Sequence, residues 1–236
     1  MNATSTTTPA ANGTGGAALN QKLAAFAALV AAVAGINYLG NYAVKTSKQD
    51  TEEALFHYST AVGSLVVYAL ILGFVLWIAR GRRDLLAWRP PRTGWLPALG
   101  LAVGTLLIAG IVITGIDHVL HGGREQGVVP PHWLPGHAGA YAVNWIVVAG
   151  VAPFVEETTY RGLGYSLLDA RWGLAAALVG TAVAFAVSHG LLRALPELFV
   201  FGFALAWLRS RVDSTFPGML VHCAFNSFAL AAVFWS

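Results

Sequence analysis

Seven apolar stretches divide the chain, at about Leu23 to Val44, Ala61 to Ala79, Trp95 to Ile116, Ala140 to Leu168, Gly173 to Leu192, Glu197 to Leu208 and Phe216 to Trp235. Most approach the roughly 17 to 25 residues that cross a bilayer as helix. The pattern therefore predicts an all-α fold, a polytopic transmembrane bundle of about seven helices. The first stretch carries Asn37 and Asn41 and the sixth is short, which makes these two the weakest members of the set. Residues 1–21 hold no charged side chain and are rich in Thr, Ala, Gly and Asn. Such a segment buries too little apolar surface to offset its ordering entropy, so a disordered polar tail is expected there. Residues 22–139 then read as N-terminal transmembrane helices with their loops, and residues 140–236 as a separate helical core.

Composition agrees with the pattern. Of the 236 residues 56% are hydrophobic and 11% charged, against roughly 25% charged in a soluble domain, which argues against a soluble globular enzyme. The bilayer is the first expected partner. A net charge of +3 gives no reason to expect nucleic acid, and a single cysteine, Cys223, allows no internal disulfide. With the N-terminus inside, the inner side collects Lys22, Arg80, Arg82, Arg83, Arg89, Arg92, Arg161, Arg171, Arg209 and Arg211, and the outer side Lys45, Lys48, Arg124 and Arg193. That bias favours a cytoplasmic-membrane protein with its N-terminus inside. Asp50, Glu52 and Glu53 read as a solvated turn. The loop from Asp117 to Gly139 holds His118, His121, His132 and His137 without regular ligand spacing, and an interfacial loop is the better reading of it than a metal site.

An ionisable group at membrane depth costs about 3 kcal/mol, so it normally faces the bundle interior with a partner or a task. In the C-terminal half that leaves Glu156, Glu157 and Arg161, then His189, Glu197, His222 and Asn226. Glu157 and Arg161 are four apart and share a helix face, as an ion pair requires. Glu156 lies about 140° from Arg161 around the helix and is free to point elsewhere. The alternative is that both glutamates clamp Arg161. Phe185 precedes His189 by four residues and can stack on it, and taken alone such a histidine reads as a hydrogen-bonded core residue before it reads as a catalyst. His222 and Asn226 also share a face and can donate two hydrogen bonds to one oxygen, or else tie neighbouring helices together. From the expected helix ends, Glu156, His189 and His222 lie roughly 18, 25 and 10 to 12 Å deep. Convergence on one site then calls for tilted helices and a kink at Pro153.

The ordered set EETTYR, FAVSH and HCAFN resembles the three motifs of the CAAX protease and bacteriocin-processing family, also called Abi, which includes type II CAAX prenyl endopeptidases. The resemblance covers about residues 140–232 and makes 140–236 the catalytic core. It implies an intramembrane endopeptidase acting on membrane-borne peptides or proteins, CAAX-type prenylated substrates among them. Glu156 and His189 would hold and deprotonate a water, His222 and Asn226 would stabilise the oxyanion, and Glu157, Arg161 and Phe185 would support them. Tyr160 stands where the family often has Phe, and its phenol is placed to hydrogen-bond Glu156. The family has also been described as metal-dependent, with Glu156, His189 and His222 as the ligands if zinc is bound. There is no H-E-x-x-H and Asn226 is a poor zinc ligand, so no metal and no other cofactor is favoured. The competing reading is a non-catalytic membrane scaffold or bacteriocin self-immunity protein that keeps the polar cluster for packing.

Overall fold

The structure, a computed structural model, describes residues 11–47, 53–126, 130 and 132–235. They form a bundle of long helices, with no strand among the described residues. Helix α1 is Ala11–Ser47, α2 Tyr58–Ile78 and α3 Trp95–Leu120. Helix α4 is an unbroken helical run over residues 138–172, α5 is Leu174–Ser188, α6 Leu195–Val212 and α7 Phe216–Ala231. Five of these are long and apolar enough to cross a membrane, and α5 is a shorter apolar helix. The chain is an integral, multi-pass membrane protein.

Two expectations about element ends are corrected. Residues 11–21, read as part of a disordered tail, belong to α1. Extending an existing helix adds a hydrogen bond for each residue fixed and avoids the cost of nucleation, so the apolar run beyond Leu23 carries the Ala-containing segment with it. Residues 1–10, Asp50 and Glu52 lie outside the described residues, while Glu53 precedes a short 3-10 turn at Ala54–Phe56. Helix α6 is 18 residues long, well beyond the short apolar stretch, because Arg209 continues it instead of ending it. Arg209 is buried and bonds Asp213 Oδ1 at 2.7 Å. Breakers stand at the junctions: Gly173 at φ 82° separates α4 from α5, and Pro196 and Pro217 open α6 and α7.

Exposure runs opposite to that of a soluble protein. Leu96, Ile111 and Phe228 are 83%, 74% and 70% exposed, while Glu157, Arg161 and His222 are buried. An apolar exterior around a polar interior is what a lipid solvent selects, since the tails accept Leu and reject unpaired charge.

Candidate active site

Adjacent residues on a helix diverge by about 100°, and this separates the two glutamates. Glu157 turns into the protein. It is fully buried, and its Oε1 accepts from Arg161 at 2.9 Å and from His222 Nδ1 at 3.1 Å. Arg161 is fully buried too, so it is part of the interior and not of the inner loops where its charge had placed it. Its second nitrogen donates to Gly202 O at 2.9 Å and its guanidinium lies 4.5 Å from the centre of the Phe185 ring. Glu156 turns the other way, into a cavity of about 780 Å³. His189, His222, Asn226, Tyr160 and Phe185 line the same cavity.

The local form of α4 is irregular on both sides of the two glutamates. Two π turns, Val147–Val151 and Thr158–Gly164, flank the α-helical segment Ala152–Glu157. In the first, the Ala152 N–H goes to Val147 O. Val148 O would next look to residue 153, which is proline and has no N–H. Asn226 supplies the missing donor, with Nδ2 2.8 Å from Val148 O. In the second turn Arg209 Nε donates to Arg161 O at 3.2 Å. The expected disturbance at Pro153 is therefore a widened helical turn whose spare carbonyl is capped from α7.

Both histidines have their tautomer set by their partners. An ionised carboxylate only accepts, so His222 carries its proton on Nδ1 toward Glu157. His189 Nδ1 lies 2.7 Å from Phe185 O, a carbonyl that also only accepts, so His189 is protonated there as well. Each ring then has Nε2 as its remaining functional atom. His222 Nε2 stands 3.8 Å from Glu156 Oε2. Phe185 joins the two rings, with its centre 4.6 Å from that of His189 and 5.7 Å from that of His222.

The structure thus brings Glu156, Glu157, Arg161 and His222 into direct contact and links His189 to them through Phe185. Two expectations need correction. Glu156 Oε1 takes its hydroxyl contact from Tyr68 of α2, at 3.3 Å, not from Tyr160. The Tyr160 ring instead lies edge-on to Phe185 at 5.5 Å. Asn226 does not aim its whole amide at the space beside His222, because one N–H is committed to Val148 O and only the second is left. Among the described residues no three His, Cys, Asp or Glu side chains are grouped to hold a metal ion. The set Glu156, His189 and His222 does not form a ligand cage in this structure, and neither do the histidines of the loop after α3. Tyr68 escaped the sequence reading. Its signal was a phenol in the middle of the apolar run SLVVYALILG.

Residues 138–228 match a family model described as Type II CAAX prenyl endopeptidase Rce1-like. This part of the chain is similar to the Rce1-like family. The match begins at the start of α4 and ends within α7, so it takes in every residue of the three motifs, while α1, α2 and α3 lie outside it. The matched model is one of type II CAAX prenyl endopeptidases. Searches among curated proteins and among solved structures give no match.

Proposed function

We propose that the protein is an intramembrane endopeptidase that hydrolyses peptide bonds of membrane-associated substrates, CAAX-type prenylated chains included, with Glu156 as the base for an attacking water. The observation that carries this reading is the division of labour between adjacent carboxylates. Glu157 is consumed by Arg161 and His222, whereas among the described residues Glu156 has no basic partner closer than His222 Nε2 at 3.8 Å, and it faces a largely apolar cavity. The water oxygen attacks the scissile carbonyl carbon while Glu156, assisted by the Nε2 lone pair of His189, takes the water proton. The tetrahedral oxyanion is stabilised by the free N–H of Asn226 and by His222. Because His222 Nδ1 is engaged by Glu157, Nε2 is the atom through which it meets the oxyanion. Collapse breaks the C–N bond, and the proton held by Glu156 passes to the departing amine.

The distribution of basic residues supports an N-terminus on the cytoplasmic side. One end of the bundle holds Lys22 bound to Ile78 O, the Arg82–Asp84 pair and the Arg89–Asp213 pair, and the other holds Lys45 with Glu125. The reading is also metal-free. Purified protein treated with a strong chelator is expected to keep its cleavage rate, and a rate lost to chelation and restored by zinc would refute this part.

The main test compares membrane proteomes of cells expressing the wild-type protein and Glu156→Ala. One or more precursors should accumulate in the variant, and His189→Ala and His222→Ala should reproduce the pattern at equal abundance of the protein. Full processing in Glu156→Ala would sink the assignment in favour of a scaffold or immunity role.

A further inference from the structure

Helix α1 lies outside the family match, yet two of its side chains reach the backbone on either side of His189. Asn37 Nδ2 donates to Ser188 O at 2.6 Å, and Asn41 Nδ2 donates to Gly190 O at 3.0 Å. The two amides are four residues apart and so share one face of α1, and the surrounding Ile36, Leu39 and Tyr42 are exposed apolar residues on a lipid-facing helix.

The end of α5 shows what they do there. The last four carbonyls of a helix have no partner inside it, and at membrane depth water is not at hand to satisfy them. Phe185 O accepts from His189 Nδ1, Ala186 O from the His189 N–H, and Val187 O from the Gly190 N–H. That accounts for three, and Ser188 O is the fourth. Among the described residues it is met only from α1, as is Gly190 O just beyond it. Gly190 itself is at φ 68°, and a Cβ built on it would stand 2.6 Å from Asn37 C and 2.7 Å from Tyr38 N. Helix α1 therefore rests directly on the turn that carries His189, at the one residue that has no side chain to hold it off.

We infer that Asn37 and Asn41 are positioning residues of the active site, which clamp the turn 188–190 from α1 and thereby fix the His189 ring at the cavity. The inference rests on the protease reading given above. Displacement of a catalytic group by about 1 Å can cost on the order of 100-fold in rate, so a clamp on the backbone either side of His189 acts on catalysis through the position of that ring, although Asn37 and Asn41 also line the cavity.

The test uses the full-length protein in detergent or nanodiscs with a farnesylated CAAX peptide as the probe, and measures hydrogen exchange of residues 185–194 beside the kinetics. The double variant Asn37→Ala/Asn41→Ala should lose at least tenfold in kcat with KM changed less than threefold, and exchange at the turn should rise. In a His189→Ala background the same pair should lower the residual rate no further. Asn37→Gln/Asn41→Gln keeps the donors and serves as the fold control, with a rate above that of the alanine pair. Unchanged kcat and unchanged exchange in the alanine pair would overturn the inference. If wild-type protein cleaves nothing while exchange at the turn still rises in the double variant, the clamp stands and it is the protease reading that fails.

Discussion

Replacing Glu157 by Gln removes the charge that faces Arg161 while leaving the shape of the side chain intact, and it separates the buried acid from the one that faces the cavity. Arg161 would be left fully buried without a counter-charge, and breaking such a pair from one side costs about 3 to 5 kcal/mol. Glu157→Gln is therefore expected to lower stability in detergent unfolding by that order. Glu156→Gln, at a residue facing the cavity, should change stability by less than about 1 kcal/mol while abolishing cleavage. Equal stability losses in the two variants would contradict the division of labour. The same logic separates the two tyrosines. Tyr68→Phe removes the hydroxyl on Glu156 Oε1 and should lower kcat several-fold at constant KM, in line with about 1 kcal/mol for one hydrogen bond. Tyr160→Phe should change kcat less, because that phenol is not hydrogen-bonded to Glu156. Steady-state kinetics on the pair decides it.

The helix carrying the two glutamates is irregular on both sides of them. Val148 O is orphaned by Pro153 and capped by Asn226, which binds α7 to α4 at the level of the site. Asn226→Ala should therefore cost about 1 to 3 kcal/mol of stability for the unpaired carbonyl in addition to its loss of rate, and thermal unfolding beside kinetics would show both. A variant with lost rate and unchanged stability would leave the cap without energetic weight. This element also marks the limit of what the sequence discloses. Long apolar runs made seven helices legible, and spacing of four paired Glu157 with Arg161 and freed Glu156, since both follow from helical geometry alone. The π turns were not legible, because one widened turn hardly changes the hydrophobic period. Nor was Tyr68, or the use of Asn37 and Asn41, because their partners are a carboxylate 88 residues away and backbone carbonyls about 150 residues away. Depth measured along isolated helices separated Glu156 from His189 and His222, whereas side chains from packed and widened helices reach one cavity.

At the scale of the whole molecule the two halves are joined at both ends of the site. Toward the basic end, Arg89, in the loop after α2, bonds Asp213 Oδ1 at 2.7 Å and its backbone oxygen, while Arg209 of α6 bonds the same carboxylate. Partial burial of Asp213 opposes its charge, but the hydrogen bonds and charges of Arg89 and Arg209 outweigh it and hold the carboxyl below the usual carboxylate range. A lowered native pKa means that the folded state binds the proton less readily than the unfolded chain. The contribution is therefore complete above the ordinary Asp value, about 4, and is lost as pH falls through the lowered native value. Since Arg209 also caps Arg161 O in the second π turn, this surface clamp connects by one side chain to the buried ion pair beneath the site. Wild-type protein and Asp213→Asn should thus differ in Tm at neutral pH and converge as the pH is lowered below about 4. The check is a set of melting curves in one detergent across that range. A constant difference between the two proteins at every pH would show that Asp213 acts through shape alone, and the link from loop to site would then carry no charge dependence.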